Sequence, residues 1–196
     1  MKFSQLDVIG QERTIRKEQK ELQNEKFLFR MVYRIFNRRN PKHTFIFYVP
    51  EYLYLRSCSF CSDIEREIDR KFTIGELAGI LYFDFLEYVR KTNDINTVHK
   101  RLAARDLAPV RIFQTEDVYN GVIYDEIRGY EMIETRIDHK DALKGEFLLR
   151  DMLEIYTDHN FTLENIFEII FCDFIDDYRR GLIKNPLSKI LHYIDY

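Results

Sequence analysis

The sequence predicts a mainly helical α+β protein with an internal duplication, in which a β-hairpin and three helices occur twice after a long N-terminal helix. The first observation behind this prediction is a gapless alignment of residues 65–107 with residues 154–196, in which twelve of 43 positions are identical. Ordinary composition gives about two or three identities. The second is that Gly and Pro are scarce (seven and four) while 45% of residues are hydrophobic, which disfavours all-β or disordered chains.

The N-terminal helix is predicted over residues 11–39, where a charged first part gives way to a more amphipathic second part. Asn40-Pro41 ends it. We divide the chain into a basic helical segment (1–43), a first repeat (44–107) and a second repeat (108–196). The two repeats are expected to form one compact domain, with their middle helices packed about a pseudo-two-fold axis.

Each repeat is predicted to begin with a hairpin. In the first, the β-branched and aromatic residues of 44–49 and 52–55 flank a break at Pro50-Glu51. In the second, residues 122–127 and 130–137 flank Arg128-Gly129, and residues 130–137 alternate between two faces as in a half-buried strand.

The middle helix of each repeat carries the clearest start signal. Thr73 precedes Glu76 by three residues, the spacing of a capping box, and Thr162 with Asn165 is a weaker version. These helices are expected to end near Lys91 and Arg180, which are cations placed well against the C-terminal dipole.

The outer two helices of each repeat follow from the same alignment. The first is predicted over about 60–70 and 147–158. The third is predicted to begin after Asn96 in one copy and after Asn185-Pro186 in the other, where Asn is a favoured cap and Pro a favoured first residue.

Charge and composition indicate a cytoplasmic protein without a membrane segment. The longest uncharged apolar run, Leu77 to Phe83, is far shorter than the roughly 20 residues that span a bilayer. Three cysteines and no apolar signal core fit a reducing compartment.

Residues 1–107 carry 20 Lys/Arg and 15 Asp/Glu (+5), whereas 108–196 carry 10 and 18 (−8). The halves therefore differ in charge, either to attract each other or to meet different partners.

A basic stripe recurs every four residues from Lys26 to Lys42, with no acid between. It would bind nucleic acid or an acidic protein, although a solvated face or pairing with the acidic second half explains it equally. The predicted binding residues are Lys26, Arg30, Arg34, Arg38, Arg39, Lys42, Lys100, Arg101 and Arg105.

The last helix has become strongly apolar where its counterpart is basic, with Ile190 and Ile194 in place of Arg101 and Arg105. Such a surface is covered either by the chain's own core or by a second subunit, and we expect a homodimer. The predicted self-association residues are Leu187, Ile190, Leu191, Tyr193, Ile194 and Tyr196.

Other candidate groups have simple structural explanations. Asp84 and Asp173 lie within apolar runs, so each is expected to make a hydrogen bond between helices rather than to act as a catalytic acid. Cys58 and Cys61 form a lone Cys-x-x-Cys, and zinc needs four ligands. Neither a metal nor a cofactor is predicted.

The prediction of function therefore rests on the surfaces through which the chain could bind partners. No phosphate loop, nucleophile elbow or zinc-binding helix is present. We expect a non-enzymatic regulatory or adaptor protein that acts through protein–protein contacts. The alternative is a nucleic-acid-binding regulator that uses the basic N-terminal helix. A distant third is a metal-dependent nuclease-like enzyme built on Asp125 and Glu134-Thr135-Arg136.

Overall fold

A computed structural model describes residues 2–22, 41–107 and 129–194. Within these ranges the protein is mainly helical with one small antiparallel sheet, so the α+β prediction is confirmed. In chain order the elements are α1 (Val8–Leu22), β1 (Lys42–Pro50), α2 (Glu51–Ile68), α3 (Ile74–Thr92), α4 (Ile95–Leu102), β2 (Tyr130–Asp138), α5 (His139–Ile155), α6 (Leu163–Arg179) and α7 (Pro186–Ile194).

The sheet joins the two halves of the chain instead of forming a hairpin in each. β1 pairs with β2 in an antiparallel register that runs from Lys42 opposite Asp138 to Pro50 opposite Tyr130. The predicted strand at 130–137 is confirmed, whereas its partner at 122–127 lies outside the described residues. The hairpin predicted in the first half is wrong, because residues 52–55 belong to α2.

The reason lies in tertiary packing. Leu53, Ser57, Phe60 and Ile64 are buried along one side of α2, and this spacing is helical. Burial of that face overrides the strand propensity of the aromatic residues around it. Helix α2 therefore begins directly after Pro50.

The middle helices begin where the sequence predicts. Thr73 with Glu76, and Thr162 with Asn165, both form complete capping boxes. The flanking helices differ more, since α2 and α5 begin eight or nine residues earlier than predicted.

The remaining helix ends also differ in part from the prediction. Helix α4 is capped by Asp94 rather than Asn96, while α7 begins at Pro186 as predicted. The N-terminal helix begins at Val8, and its predicted course beyond Leu22 lies outside the described residues.

Each strand is covered by the middle helix of the opposite half. Helix α3 packs on β2, α6 packs on β1, and α3 and α6 also pack on each other. Phe167 of α6 stands at the centre, with its ring centroid 4.7 Å from Tyr82 and 5.3 Å from Phe45. One buried cluster consequently includes residues from both halves.

Gly75 lets α3 approach β2 unusually closely. A Cβ atom at this position would lie 2.3 Å from the carbonyl oxygen of Glu134, which is closer than real contacts allow. The buried Thr135 hydroxyl donates to the Gly75 carbonyl at 2.8 Å. Glycine is therefore required here by contact with a neighbouring backbone rather than by its own φ angle.

The N-terminal segment is fixed by a buried carboxylate of α5. Glu146 is 0% exposed and accepts hydrogen bonds from the backbone N–H groups of Val8 (2.9 Å) and Ile9 (2.7 Å) and from the Ser4 hydroxyl. It thus caps the start of α1, where the helix dipole and free N–H groups favour a negative charge.

Replacement of this cap should loosen α1. Glu146→Gln removes the charge without leaving a large cavity, so we expect the free energy of unfolding to fall by about 2 kcal/mol or more. Hydrogen exchange of residues 8–22 should accelerate in parallel. Glu154→Gln, an exposed carboxylate on the same helix, is the control and should change stability by less than about 0.5 kcal/mol. Equal effects of the two variants would contradict the capping role.

Candidate interaction surface

Two aspartates of the middle helices join the halves. Asp84 of α3 accepts hydrogen bonds from Lys189 Nζ (2.9 Å) and the Tyr193 hydroxyl (3.1 Å), both on α7. Asp173 of α6 accepts from Arg105 (3.2 Å), which follows α4. The predicted hydrogen bond between helices is therefore confirmed for Asp84, whereas the donor to Asp173 lies in the turn after α4. In both cases the donor belongs to the other half.

Arg105 is the centre of a half-buried charge cluster. It also contacts Asp176 at 3.2 Å, and its side chain is only 21% exposed. Burial raises the pKa of Asp173 above its ordinary value, and the neighbouring positive charge of Arg105 offsets only part of that rise. Burial alone would also raise the pKa of Asp176, but hydrogen bonds from Arg179 and Arg105 lower it below its ordinary value. Burial and pairing with Arg105 thus act in opposite directions on both carboxylates of the cluster.

The predicted basic binding residues have different positions. Lys42, at the start of β1, and Lys100 of α4 are exposed. Arg101 lies 4.0 Å from Asp173 and above the ring of Tyr88, and Arg105 pairs as described. The acidic partner of Arg101 and Arg105 is therefore in the second half of this chain, which was one of the explanations offered for the basic residues. Lys26, Arg30, Arg34, Arg38 and Arg39 lie outside the described residues.

The predicted self-association helix is docked on the other half. Helix α7 contacts α2 and α3, and Ile190 is 0% exposed, so Ile190 cannot contact a second subunit as predicted. The prediction assigned the apolar surface of this helix to a second subunit, whereas its seat lies on the opposite half of the same chain. Partly buried residues packed against the core are Leu187, Leu191 and Ile194. Tyr193 is bonded to Asp84, and Tyr196 lies outside the described residues.

The cysteine pair does not form a metal site with its described neighbours. Cys58 is exposed on α2, while Cys61 and Cys172 are buried and free. Burial raises the pKa of Cys61 and of Cys172 to about 12, so both stay protonated. Within the described residues no group of three or more His, Cys, Asp or Glu side chains is arranged to hold a metal ion.

A groove between α3, β2 and α7 contains charged side chains that already have partners. Arg70 pairs with Glu76 at 2.9 Å, and Arg136 pairs with Glu134 at 3.4 Å. Thr135 between the latter two is buried against α3. Glu134 and Arg136 share the exposed face of β2 and pair with each other; Asp125, the other residue of the nuclease-like prediction, lies outside the described residues.

A rigid, partly apolar surface forms where α2 meets the end of α6. Tyr52, Leu55 and Leu182 are 55%, 60% and 66% exposed. The guanidinium of Arg56 lies 5.2 Å from the Tyr178 ring centroid, and that of Arg179 lies 5.7 Å from the Tyr52 ring centroid. We call this the α2–α6 surface, and it consists of Tyr52, Leu55, Arg56, Tyr178, Arg179 and Leu182.

The turn after α6 holds Leu182 in a fixed position. Gly181 adopts φ 69°, and the N–H groups of Gly181 and Leu182 donate to the carbonyls of Tyr178 and Asp177 at 3.0 and 2.9 Å. This is the Schellman pattern, which terminates helices with a left-handed glycine. Sequence analysis missed the surface because it placed residues 52–55 in a strand; the spacing of Tyr52, Leu55 and Arg56 on one helical face would have indicated it.

The comparisons with known proteins give no family. No protein-family model, curated protein or solved structure matches this chain. In the ranges that the structure describes, no helix combines the length and apolar character needed to cross a bilayer. Function must therefore be inferred from the chain itself.

Removing the charge of Arg105 should lower the free energy of unfolding, because Arg105 joins the two halves of the chain. Arg105→Gln removes the hydrogen-bonded cation of the half-buried Asp173, while Asp176 keeps Arg179, so we expect urea unfolding to show a loss of about 1–3 kcal/mol. Arg105→Gln combined with Asp173→Asn should recover part of that loss. Arg70→Gln breaks an exposed pair and should cost less than about 1 kcal/mol. A double variant no more stable than Arg105→Gln would argue against direct pairing.

A histidine pair links α1 to the sheet. His139 is 7% exposed; its Nε2 lies 3.0 Å from Glu12 and its Nδ1 lies 2.8 Å from His43 Nε2. Two neutral rings satisfy both contacts if the Nε2–H of His139 donates to Glu12 and the Nε2–H of His43 donates to Nδ1 of His139. Burial lowers the pKa of His43, and the neighbouring His139 lowers it further, while Glu146 opposes this. A hydrogen bond from Arg16 is the main cause that lowers the pKa of Glu12.

Acidification should therefore destabilise the protein through His43. Because its folded pKa is below the ordinary value of about 6.5, its contribution to stability is present above that pH and is lost as the pH falls through the lowered pKa. His43→Gln keeps an N–H donor but cannot be protonated. We expect it to flatten the change in unfolding free energy between about pH 7.5 and 5. His192→Gln, an exposed position, should leave the slope unchanged; if it flattens the slope equally, the pair is not responsible.

Proposed function

We propose that this chain is a non-enzymatic regulatory or adaptor protein that acts through protein–protein contacts. The observation that carries this proposal is the α2–α6 surface, on which apolar and aromatic side chains are exposed beside arginines that lie over the Tyr52 and Tyr178 rings. Tyr and Arg are the residue types that contribute most to protein interfaces. Preorganised side chains also lose less entropy when a partner binds.

The alternative of an active site has less support. The carboxylates best placed for catalysis, Asp84 and Asp173, accept hydrogen bonds from the opposite half. The buried Glu146 caps a helix, and Arg70, Glu76, Glu134 and Arg136 of the α3–β2–α7 groove are ion-paired. These groups thus have structural partners where an enzyme needs groups directed at a substrate.

We further infer that the fold arose by internal duplication, with a strand and three helices as the unit rather than a hairpin and three helices. The element order from β1 onward repeats this unit twice. Ile46 pairs with Glu134 at the middle of the sheet, and these residues are 88 positions apart, as are the first residues of β1 and β2, Lys42 and Tyr130. The gapless alignment has an offset of 89, so the centre of the pairing lies within one residue of equivalent positions, close to where a pseudo-two-fold axis would pass.

Exchange of contacts between halves supports the same inference. Helix α3 covers β2 and α6 covers β1. Asp84 and Asp173 are aligned in the sequence, and each binds a donor on or just after the third helix of the opposite half. Two copies arranged in this way form one body, and their surfaces are free to differ.

The proposal is tested with the tagged full-length chain in its host cells. Chemical crosslinking followed by mass spectrometry should identify a protein that also binds the purified chain with defined stoichiometry. Binding should survive nuclease treatment and change little between about 50 and 200 mM salt, whereas phosphate contacts would weaken by orders of magnitude. Nuclease-sensitive, strongly salt-dependent binding would instead support the nucleic-acid alternative, which would use Lys26, Arg30 and Arg34.

A further inference from the structure

We propose that the α2–α6 surface binds an acidic segment of a partner protein that also presents apolar side chains. This inference rests on the proposed function and specifies the chemistry of the partner. It is carried by a comparison of the two copies, by the charges around the surface and by the positions of the arginines.

Helices α2 and α5 can be compared because each follows its strand directly, and their first residues are 88 positions apart, as are those of the strands. At this offset Phe60 corresponds to Leu148 and Ile64 to Met152, and all four side chains are buried. The comparison shows which outward-facing residues differ between the copies.

The outward-facing side of α2 is more apolar than the equivalent part of α5. Tyr52 corresponds to Lys140 and Leu55 to Leu143. Lys140 is exposed and Leu143 is half-buried, whereas Tyr52 and Leu55 are both more than half exposed.

The third apolar residue of the surface is Leu182, which comes from the second half of the chain. Leu182 corresponds to Asn93, the residue that caps α3 in the left-handed conformation. Leu182 is 66% exposed, although a leucine after a Schellman turn commonly packs back on its own helix. Tyr52 and Leu182 are thus apolar where the other copy is polar, and both belong to one surface with Leu55. Folding does not require this exposure, whereas binding explains it.

The cations around this surface indicate the charge of the partner. Arg56, Arg180 and Lys184 are exposed and have no ion pair within the described ranges. Arg179 pairs with Asp176 at 2.6 Å. Glu51 and Asp177 are the acids beside the surface in the sequence, so cations predominate there.

Arg56 is the arginine best placed for a carboxylate of the partner. It lies above the Tyr178 ring, which restricts its guanidinium group before any partner arrives, whereas Arg179 lies above the Tyr52 ring and is already paired with Asp176. A planar guanidinium bonds a carboxylate through two parallel N–H groups. Leu55 and Leu182 offer apolar contact beside these charges. The complementary segment carries Asp or Glu together with Leu-like side chains, whereas a nucleic acid has no apolar group for the leucines.

The test measures binding of a defined peptide to the full-length chain. The probe is a fluorescein-labelled amphipathic peptide of about 16 residues, with Leu at helical i, i+3, i+4 and i+7 spacing and Glu elsewhere. Fluorescence anisotropy should show saturable binding to the wild-type chain. A matched peptide with Lys in place of Glu should bind at least about tenfold more weakly.

Variants locate the peptide on the molecule. Leu55→Glu and Arg56→Glu should each weaken binding by about tenfold or more, while thermal unfolding should stay near that of the wild type because both side chains are exposed. Leu182→Glu is a second variant on a different element and should act likewise. Ile155→Glu replaces an equally exposed apolar residue on α5 and should leave affinity unchanged.

Three results would overturn the inference: no saturable binding, equal weakening by Ile155→Glu, or tighter binding of a single-stranded oligonucleotide that the same variants abolish. If the cellular partner is a protein but its crosslinks avoid the α2–α6 surface, the proposed function stands and this inference fails. If no protein partner exists while the peptide binds as expected, the surface recognises acidic segments but the proposed function fails.

Discussion

The fold depends on the antiparallel pairing of two strands that come from opposite halves of the chain. Among the described residues, β1 pairs with β2 alone, and neither strand could satisfy its backbone groups without the other. This pairing brings the middle helix of each half over the strand of the other. The core is therefore shared, and Phe167 contacts aromatic rings on both α3 and β1. Neither half has a complete core of its own.

Polar contacts follow the same exchange. Asp84 and Asp173 would each be costly to bury without a donor, and each finds its donor on or just after the third helix of the opposite half. The apolar character of α7 has a similar origin, since its seat on α2 and α3 lies in the opposite half. Part of the charge difference between the halves is neutralised inside the molecule, where Arg105 forms ion pairs with Asp173 and Asp176.

Local signals in the sequence predicted the elements whose ends are set by neighbouring residues. The capping boxes at Thr73 and Thr162 and the alternation in residues 130–137 are of this kind. Residues 52–55 could not be assigned in this way, because their composition suits a strand and only the burial of Leu53 makes them helical. The cap that Glu146 provides to Val8 joins residues 138 positions apart, and no periodicity indicates such a contact. The α2–α6 surface was missed for the same reason as α2 itself.

The exchange of strands also constrains the order of events as the chain is made. Tyr130 is synthesised 88 residues after Lys42, so β1 leaves the ribosome well before any part of β2. At about 5–20 residues per second this interval is roughly 4–18 s. During it the apolar face of β1, with Phe45, Phe47 and Val49, lacks both its pairing strand and its covering helix. Two chains growing side by side could satisfy each other's strands with the same geometry, so the fold carries an inherent route to strand-swapped dimers.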